Sequence, residues 1–251
     1  MLKRAAQPQS VPRIALVDLA RGLALIAMTV FHFCWDLAMF RLIEPSVMAS
    51  AGMVWFARSI AGSFLFLVGF SLYLAHHRHI RWQSFAKRWV KIVGAAALIT
   101  IATWFATPDA FIFFGILHAI ALASLLGLPF LALPAWVTGI AGIFFLTGNL
   151  WLRTAGLDDP VWWWTGLSSF VPISNDYVPV FPFFGMVLLG IAVAKFTGTQ
   201  GWWTVMARPE LDGRPVRLMR FIGRHSLVYY LLHQPVMIGI MYGILWLSGN
   251  I

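Results

Sequence analysis

Long apolar segments alternate with short polar connections along nearly the whole chain. Seven segments are long enough to cross about 30 Å of hydrocarbon as α-helices, at about 1.5 Å per residue. They cover residues 14–40, 49–75, 89–107, 111–128, 134–151, 179–196 and 221–247. This pattern predicts an all-α, polytopic transmembrane bundle of about seven spans, built as a single domain over residues 14–251 behind a basic tail at residues 1–13.

The composition supports a membrane protein. Hydrophobic residues make up 60% of the 251 residues and charged residues 11%, and the mean hydropathy is +0.80. A water-soluble domain of this size does not need so much apolar surface. The net charge of +9 comes from basic residues that lie between membrane-length segments. Since they form no continuous patch and no known binding motif, we expect no nucleic-acid partner.

The basic residues set the predicted orientation. Fourteen of the eighteen Lys and Arg residues lie in the N-terminal tail and in every second connection, counted to the flanking helix ends. The opposite side carries only Arg41 and Arg153, together with five acidic residues. Because cytoplasmic loops are enriched in Lys and Arg, we expect a cytoplasmic N-terminus and an extracytoplasmic C-terminus.

The first apolar segment carries a stripe of ionisable residues. Asp18, Arg21, His32 and Asp36 fall within an arc of roughly 60° when residues advance by about 100° around a helix. A charged side chain at the centre of a membrane helix costs about 2.5–3.5 kcal/mol, so it needs a partner or a wet cavity. The stripe therefore indicates a functional site beside the first helix.

Further polar residues are predicted at the depth of His32. With the orientation above, His32, Arg58 and His118 each lie roughly 10–14 Å below the extracytoplasmic interface. Asp176 and Tyr177 arrive on the same side, just before the sixth apolar segment. We expect these residues to share one outward-facing chamber.

Five segments of the chain carry a recognisable pattern. They read RIALVDLARGLALIAMTVFHFCWDLAMF, FLFLVGFSLYLAHHR, FGILHAIA, DYVPVFPFFG and GRHSLVYYLLHQPV. Together they resemble the bacterial relatives of the heparan-alpha-glucosaminide N-acetyltransferase catalytic domain, a group of transmembrane acyltransferases. Arg21 and His32 are separated by ten residues, which matches the Arg-x10-His signature of the wider transmembrane acyltransferase superfamily. The resemblance covers nearly the whole chain.

The resemblance implies acyl transfer across a membrane. A cytoplasmic acyl-CoA, with acetyl-CoA as the family expectation, would donate its acyl group to a sugar amine or hydroxyl on the far side. We expect a bacterial envelope glycan or a lipid-linked sugar as acceptor, and a multi-pass protein of the bacterial inner membrane. We expect no metal cofactor.

Acyl transfer chemistry assigns a role to each candidate residue. Attack on a thioester needs a base, a group that orients the base, and donors for the developing oxyanion. His32 is the expected base because imidazole titrates near neutral pH, and Asp36, one helical turn further on, is expected to orient it. Arg58 or His118 would face the thioester oxygen.

The donor phosphates need cationic partners. Arg21, supported by Asp18 at i+3, is the expected phosphate contact, and Arg224 is a second candidate. A purely structural ion pair between Asp18 and Arg21 is an alternative of equal weight. Asp176 and Tyr177 complete the expected substrate-binding residues.

Two other functions fit the same stripe. His32 and His118 are the obvious axial pair for a b-type haem, which would make the protein an electron carrier. A transporter would use the stripe as a proton or anion path. Binding of acyl-CoA would separate the acyltransferase from both alternatives.

Several neighbouring residues are expected to be structural. Gly69, Gly115 and Gly185 fit close packing between helices. His233, two residues before a proline, is expected to donate to the backbone carbonyl that this proline leaves without a partner. The basic, histidine-rich segment 76–91 is expected to form a solvated cytoplasmic collar.

Overall fold

A computed structural model describes residues 14–207 and 213–249, which fold into α-helices joined by short turns and loops. The predicted basic tail at residues 1–13 lies outside the described residues. The helices are α1 (Ala15–Met39), α2 (Ala51–His76), α3 (Trp82–Ala106), α4 (Ile116–Leu126), α5 (Ala135–Gly148), α6 (Val180–Thr199), α7 (Trp202–Met206), α8 (Arg214–Arg224) and α9 (Ser226–Leu247). The described part of the chain contains no β-strand.

Five helices, α1, α2, α3, α6 and α9, are long and apolar enough to cross a membrane. The predicted all-α, polytopic bundle is therefore confirmed. The spans predicted at 111–128 and 134–151 are shorter than expected, because α4 has 11 residues and α5 has 14. Gly127 and Pro129 follow α4, and Pro134 precedes α5. Since proline lacks the N–H that a continuing helix needs, the two segments stay separate and short.

Two further boundaries differ from the sequence prediction. α3 begins at Trp82, seven residues before the predicted start at 89, so residues 82–91 of the expected collar belong to a membrane helix. The last apolar segment, predicted as one helix over 221–247, is divided at His225 into α8 and α9. His225 adopts φ −103° and ψ 28°, which is outside the helical region and changes the direction of the chain.

Helix α6 is the centre of the bundle. Val187, Leu188 and Ile191 on this helix have no exposed surface. A Cβ added at Gly69 of α2 would clash with the Val187 carbonyl, and one added at Gly185 would lie 2.6 Å from the Gly142 carbonyl oxygen of α5. The expected close packing at Gly69 and Gly185 is thus confirmed, and it holds α2 and α5 against opposite flanks of α6.

A buried lysine fixes the connection between α4 and α5. Lys195 of α6 is 6% exposed and donates hydrogen bonds to the backbone carbonyl oxygens of Phe130 and Leu133 and to the Thr138 hydroxyl. A buried ammonium group is stable only when it is well hydrogen-bonded. The turn between the two short helices therefore has a fixed position against α6.

The α2–α6 contact predicts a difference between two glycines of one helix. We expect Gly69→Ala to lower the free energy of unfolding by about 1–3 kcal/mol, because the new methyl group meets backbone and not a movable side chain. Gly52→Ala is the matched control, because a Cβ at this position has nothing within 4 Å. Thermal unfolding of the purified variants in detergent measures both, and equal transition temperatures would contradict the packing.

Candidate active site

A cavity of about 490 Å³ lies between α1, α2, α3, α4 and α9. Four basic residues line it, namely Arg21, Lys87, Arg88 and Lys91. Among the described residues, no Asp or Glu contributes to the lining. We call this space the basic cavity. Since its charged lining residues are all basic, the cavity favours an anionic ligand.

Three of these basic residues, Lys87, Arg88 and Lys91, were expected in the solvated collar. They line a cavity because α3 begins earlier than predicted and continues through them as a helix. Ser84, Lys87, Arg88 and Lys91 are spaced three or four residues apart, so they share one face of α3. This periodicity is the signal in the sequence that identifies the face.

A side pocket of about 170 Å³ adjoins the basic cavity. The two spaces share Ser84, Arg88 and Ile92, and the side pocket adds His76 and Arg81. His76 Nδ1 accepts a hydrogen bond of 3.2 Å from the Arg81 backbone N–H. The positive lining therefore continues beyond the basic cavity toward the connection between α2 and α3.

A third space, of about 190 Å³, contains the histidine of the first helix. His32, Arg58, Asp176 and Tyr177 all line it, so the structure brings four of the predicted site residues together. We call it the histidine pocket. Trp35 also lines it and offers an aromatic face.

His32 is held by ring contacts. Its ring centroid lies 5.0 Å from that of His233 and 5.6 Å from that of Phe31. Within residues 14–207 and 213–249 the imidazole makes no hydrogen bond, to Asp36 or to any other group. The expected orientation of His32 by Asp36 is therefore wrong in this structure.

The reason lies in the environment of Asp36. This residue is fully buried, and its Oδ1 accepts a hydrogen bond from Gln234 Nε2 of α9. Its Oδ2 is buried with no hydrogen-bond partner in the described part of the chain. A carboxylate between two apolar helices is costly without a donor. Asp36 therefore points to the amide across the helix interface and links α1 to α9.

His233 donates to a backbone carbonyl of its own helix, but not to the one that was expected. Its Nδ1 donates to the Tyr230 carbonyl oxygen at 2.6 Å, and not to that of Leu231, the carbonyl that Pro235 leaves without a helical partner. Its Nε2 is buried and has no hydrogen-bond partner among the described residues. A second imidazole with one uncommitted nitrogen therefore lies beside His32.

His118 is not part of the histidine pocket. Its Nδ1 accepts a hydrogen bond of 3.2 Å from the Gly115 N–H, and its Nε2 lies 3.1 Å from the Thr100 hydroxyl. That hydroxyl donates to the Ile112 carbonyl oxygen at 2.7 Å, so Nε2 must be the donor toward Thr100. Both ring nitrogens are occupied, which corrects the expected shared chamber and disfavours His118 as a haem ligand.

The lower part of the polar stripe forms an ion-pair cluster. Asp18 is buried and lies 3.5 Å from Arg21 Nη1 and 3.3 Å from Arg224 Nε. A Cβ at Gly223 would clash with the Asp18 carbonyl, so the absence of a side chain there allows α8 to approach α1. Arg21 also donates to Ser71 at 2.9 Å and lines the basic cavity, whereas Arg224 is not one of its lining residues.

The basic cavity and the histidine pocket share a wall. Phe64, Ile116 and Tyr230 line both spaces. The two cavities are therefore adjacent, and these three side chains lie between them. A ligand bound in the basic cavity would have one end at the boundary of the pocket that contains His32.

Asp176 and Tyr177 reach the histidine pocket from the loop before α6. Burial raises the pKa of Asp176, and hydrogen bonds from the Ile116 N–H at 2.8 Å and the Tyr230 hydroxyl at 3.3 Å oppose this rise. Burial raises the pKa of Tyr177 to about 12. Tyr177 therefore stays protonated at neutral pH and donates to the Trp163 carbonyl oxygen at 2.6 Å.

Comparison with known proteins identifies one family. The sequence profile of the family described as "Heparan-alpha-glucosaminide N-acetyltransferase, catalytic" matches residues 13–235. The matched range includes both cavities and the wall between them. No curated protein and no solved structure matched the chain.

The Asp36–Gln234 contact predicts a coupled loss of stability. We expect Asp36→Ala to lower the free energy of unfolding by about 1–3 kcal/mol, because the half-buried Gln234 amide loses its acceptor. Asp36→Asn keeps an acceptor oxygen, and we expect it to retain most of the stability. Gln234→Ala should add little in the Asp36→Ala background, and fully additive losses in thermal unfolding would contradict a direct contact.

Proposed function

Since the chain belongs to the heparan-alpha-glucosaminide N-acetyltransferase catalytic-domain family, we propose that it is an acyl-CoA-dependent acyltransferase of the bacterial inner membrane. It would transfer an acyl group, in the first place acetyl, to a sugar amine or hydroxyl on the extracytoplasmic side. Its five long apolar helices make it a multi-pass membrane protein. The observation that carries the proposal is the shared wall between a basic cavity and a histidine pocket.

The basic cavity suits the nucleotide end of the donor. Coenzyme A carries its phosphates at one end and its thioester at the other, so a cationic space beside a neutral wall fits its polarity. Arg21, Lys87, Arg88 and Lys91 would bind the phosphates. The thioester would then lie against Phe64, Ile116 or Tyr230.

The predicted orientation assigns each cavity to one side of the membrane. Lys87, Arg88 and Lys91 follow a connection that the distribution of basic residues assigns to the cytoplasm. Asp176 and Tyr177 belong to a connection assigned to the opposite side. The proposed enzyme would therefore take its donor from inside and its acceptor from outside, and neither substrate would have to cross the whole bilayer.

His32 is the proposed general base. It would take the proton from the acceptor amine or hydroxyl as that group attacks the thioester carbon, and the tetrahedral oxyanion would be stabilised by Arg58. The carbon–sulfur bond then breaks, and the imidazolium returns its proton to the leaving thiolate of CoA. His32 is neutral again at the end of the cycle, and the products are the acylated sugar and free CoA.

The histidine pocket offers groups that suit a sugar. Trp35 provides an aromatic face, Asn175 an amide and Arg58 a guanidinium group along one lining. Asp176 and Tyr177 lie at the same edge, where they would contact acceptor hydroxyl groups. These residues belong to a carbohydrate acceptor site in this proposal.

The base assignment predicts the effect of His32→Ala. We expect transfer of label from radiolabelled acetyl-CoA to an envelope glycan extract to fall by about 10²–10⁴-fold, which is the usual contribution of a general base. Binding of acetyl-CoA should be unchanged, because His32 does not line the basic cavity. His225→Ala is the matched control, since His225 is exposed between α8 and α9. Full activity of His32→Ala would remove this residue from the mechanism.

The donor assignment predicts a loss of affinity without a loss of fold. We expect Lys87→Gln and Arg88→Gln each to weaken CoA binding by about tenfold or more, in line with one lost charge-assisted hydrogen bond. Arg214→Gln is the control, because Arg214 is exposed on α8 and does not line the cavity. Titration calorimetry with CoA measures all three variants, and equal affinities would place the donor elsewhere.

A further inference from the structure

A single oxygen atom connects two residues of the wall between the cavities. Asp176 Oδ2 accepts one hydrogen bond from the Ile116 N–H at 2.8 Å and one from the Tyr230 hydroxyl at 3.3 Å. Ile116 and Tyr230 belong to different helices, α4 and α9, and both line both cavities. Two of the three wall residues are therefore held together by one carboxylate.

The position of this carboxylate is built into the fold. Ile116 is the first residue of α4, so the Asp176 oxygen satisfies a backbone N–H that has no partner within the helix. A Cβ at Gly115 would clash with Asp176 Oδ2, so only glycine leaves room for the carboxylate. Gly115 was expected to serve helix–helix packing, and its actual role is to admit Asp176.

The loop that carries Asp176 is attached to the segment before α4 on both sides of this residue. The Asn175 N–H donates to the Ala110 carbonyl oxygen at 2.8 Å, and the Val178 N–H donates to the Phe114 carbonyl oxygen at 3.0 Å. Asp176 thus lies between two backbone hydrogen bonds. The contact with Tyr230, in contrast, depends on a single side-chain hydroxyl, so it is the part of the wall that opens most easily.

We propose that Asp176 and Tyr230 form a latch that keeps the wall closed until an acceptor is bound, and that Phe64 and Ile116 set the size of the acyl group that passes. This inference rests on the proposed acyl transfer between the two cavities. Asp176 also lines the histidine pocket. Acceptor hydroxyl groups would therefore compete with the Tyr230 hydroxyl for Asp176 Oδ2. Binding of the acceptor would then release the Tyr230 ring.

A closed latch protects the donor from water. If water reaches the thioester, a carbon–oxygen bond forms and the carbon–sulfur bond breaks, which yields a free carboxylic acid and CoA without any transfer. Once the latch is open, Phe64 and Ile116 restrict passage to a small acyl group. Asp176 and Tyr230 are positioning residues in this scheme, because they act on access and not on the reacting bond.

The first test compares two adjacent tyrosines. We expect Tyr230→Phe to raise acceptor-independent hydrolysis of acetyl-CoA relative to transfer by about tenfold, the size expected for one lost hydrogen bond to a charged group. Tyr229→Phe is the matched control, because its hydroxyl bonds Thr29 Oγ1 at 2.8 Å and not the wall. A merely structural role would lower hydrolysis and transfer together, and an unchanged ratio would overturn the latch.

The size filter has its own readout. We expect Ile116→Ala to accept longer acyl-CoA donors, seen as a rise in the ratio of butyryl to acetyl transfer. The variant keeps its backbone N–H and therefore its bond to Asp176. Leu117→Ala is the control, since Leu117 lines only the basic cavity of the two. The same donor preference in both variants would remove Ile116 from the filter.

The second test does not need catalysis. Cys34 is the single cysteine of the chain, so Cys34→Ala gives a background in which Ser226→Cys places one thiol on the lining of the basic cavity. A membrane-impermeant, anionic thiosulfonate reagent is applied to proteoliposomes from each side separately. From the side of the histidine pocket, we expect modification to be about tenfold faster with Tyr230→Phe than with an intact latch. From the other side, the rates should be equal.

The two readouts separate the latch from the proposed activity. Faster modification without any acyl transfer would support the latch and contradict the acyltransferase. Normal transfer with equal modification rates would support the acyltransferase and overturn the latch.

Discussion

An ionisable group between apolar helices must have a partner or a polar cavity, and this constraint determines the arrangement of α1. Asp18 meets two arginines, Asp36 meets an amide of α9, and His32 faces a pocket. Each of these contacts brings a different part of the chain against the first helix. The close approach of α8 and the contact with α9 accompany these pairs.

The sequence predicted the helical class and much of the histidine pocket, because depth and side follow from rise per residue and from the distribution of charge. It did not predict the partner of Asp36, since Gln234 lies 198 residues further along the chain. It also placed His118 in the pocket, because depth alone says nothing about the direction in which a side chain points. Hydrogen bonds to Gly115 and Thr100 turn that ring away.

The sequence also did not predict the basic cavity. The same basic residues are expected at a helix end in water and on a helix face that lines a polar cavity. The sequence alone therefore does not decide where Lys87, Arg88 and Lys91 lie. Only the tertiary packing of α3 against α4 and α9 distinguishes the two. The length of α4 has a similar explanation. Hydropathy extends through residues 111–115, but the Ile112 backbone bonds to threonine side chains of α3 and the Phe114 carbonyl accepts from the Val178 N–H of the loop before α6.

Helix α4 is too short to cross the hydrocarbon layer of a membrane. At about 1.5 Å per residue its 11 residues extend for about 17 Å, little more than half of a hydrocarbon layer of about 30 Å. Beside α4, the remaining thickness is then occupied by loop and not by helix. Irregular backbone is permitted at membrane depth only where protein encloses it. In the proposed enzyme, the layer between the donor side and the acceptor side would thereby be reduced, at this place, to the side chains of Phe64, Ile116 and Tyr230.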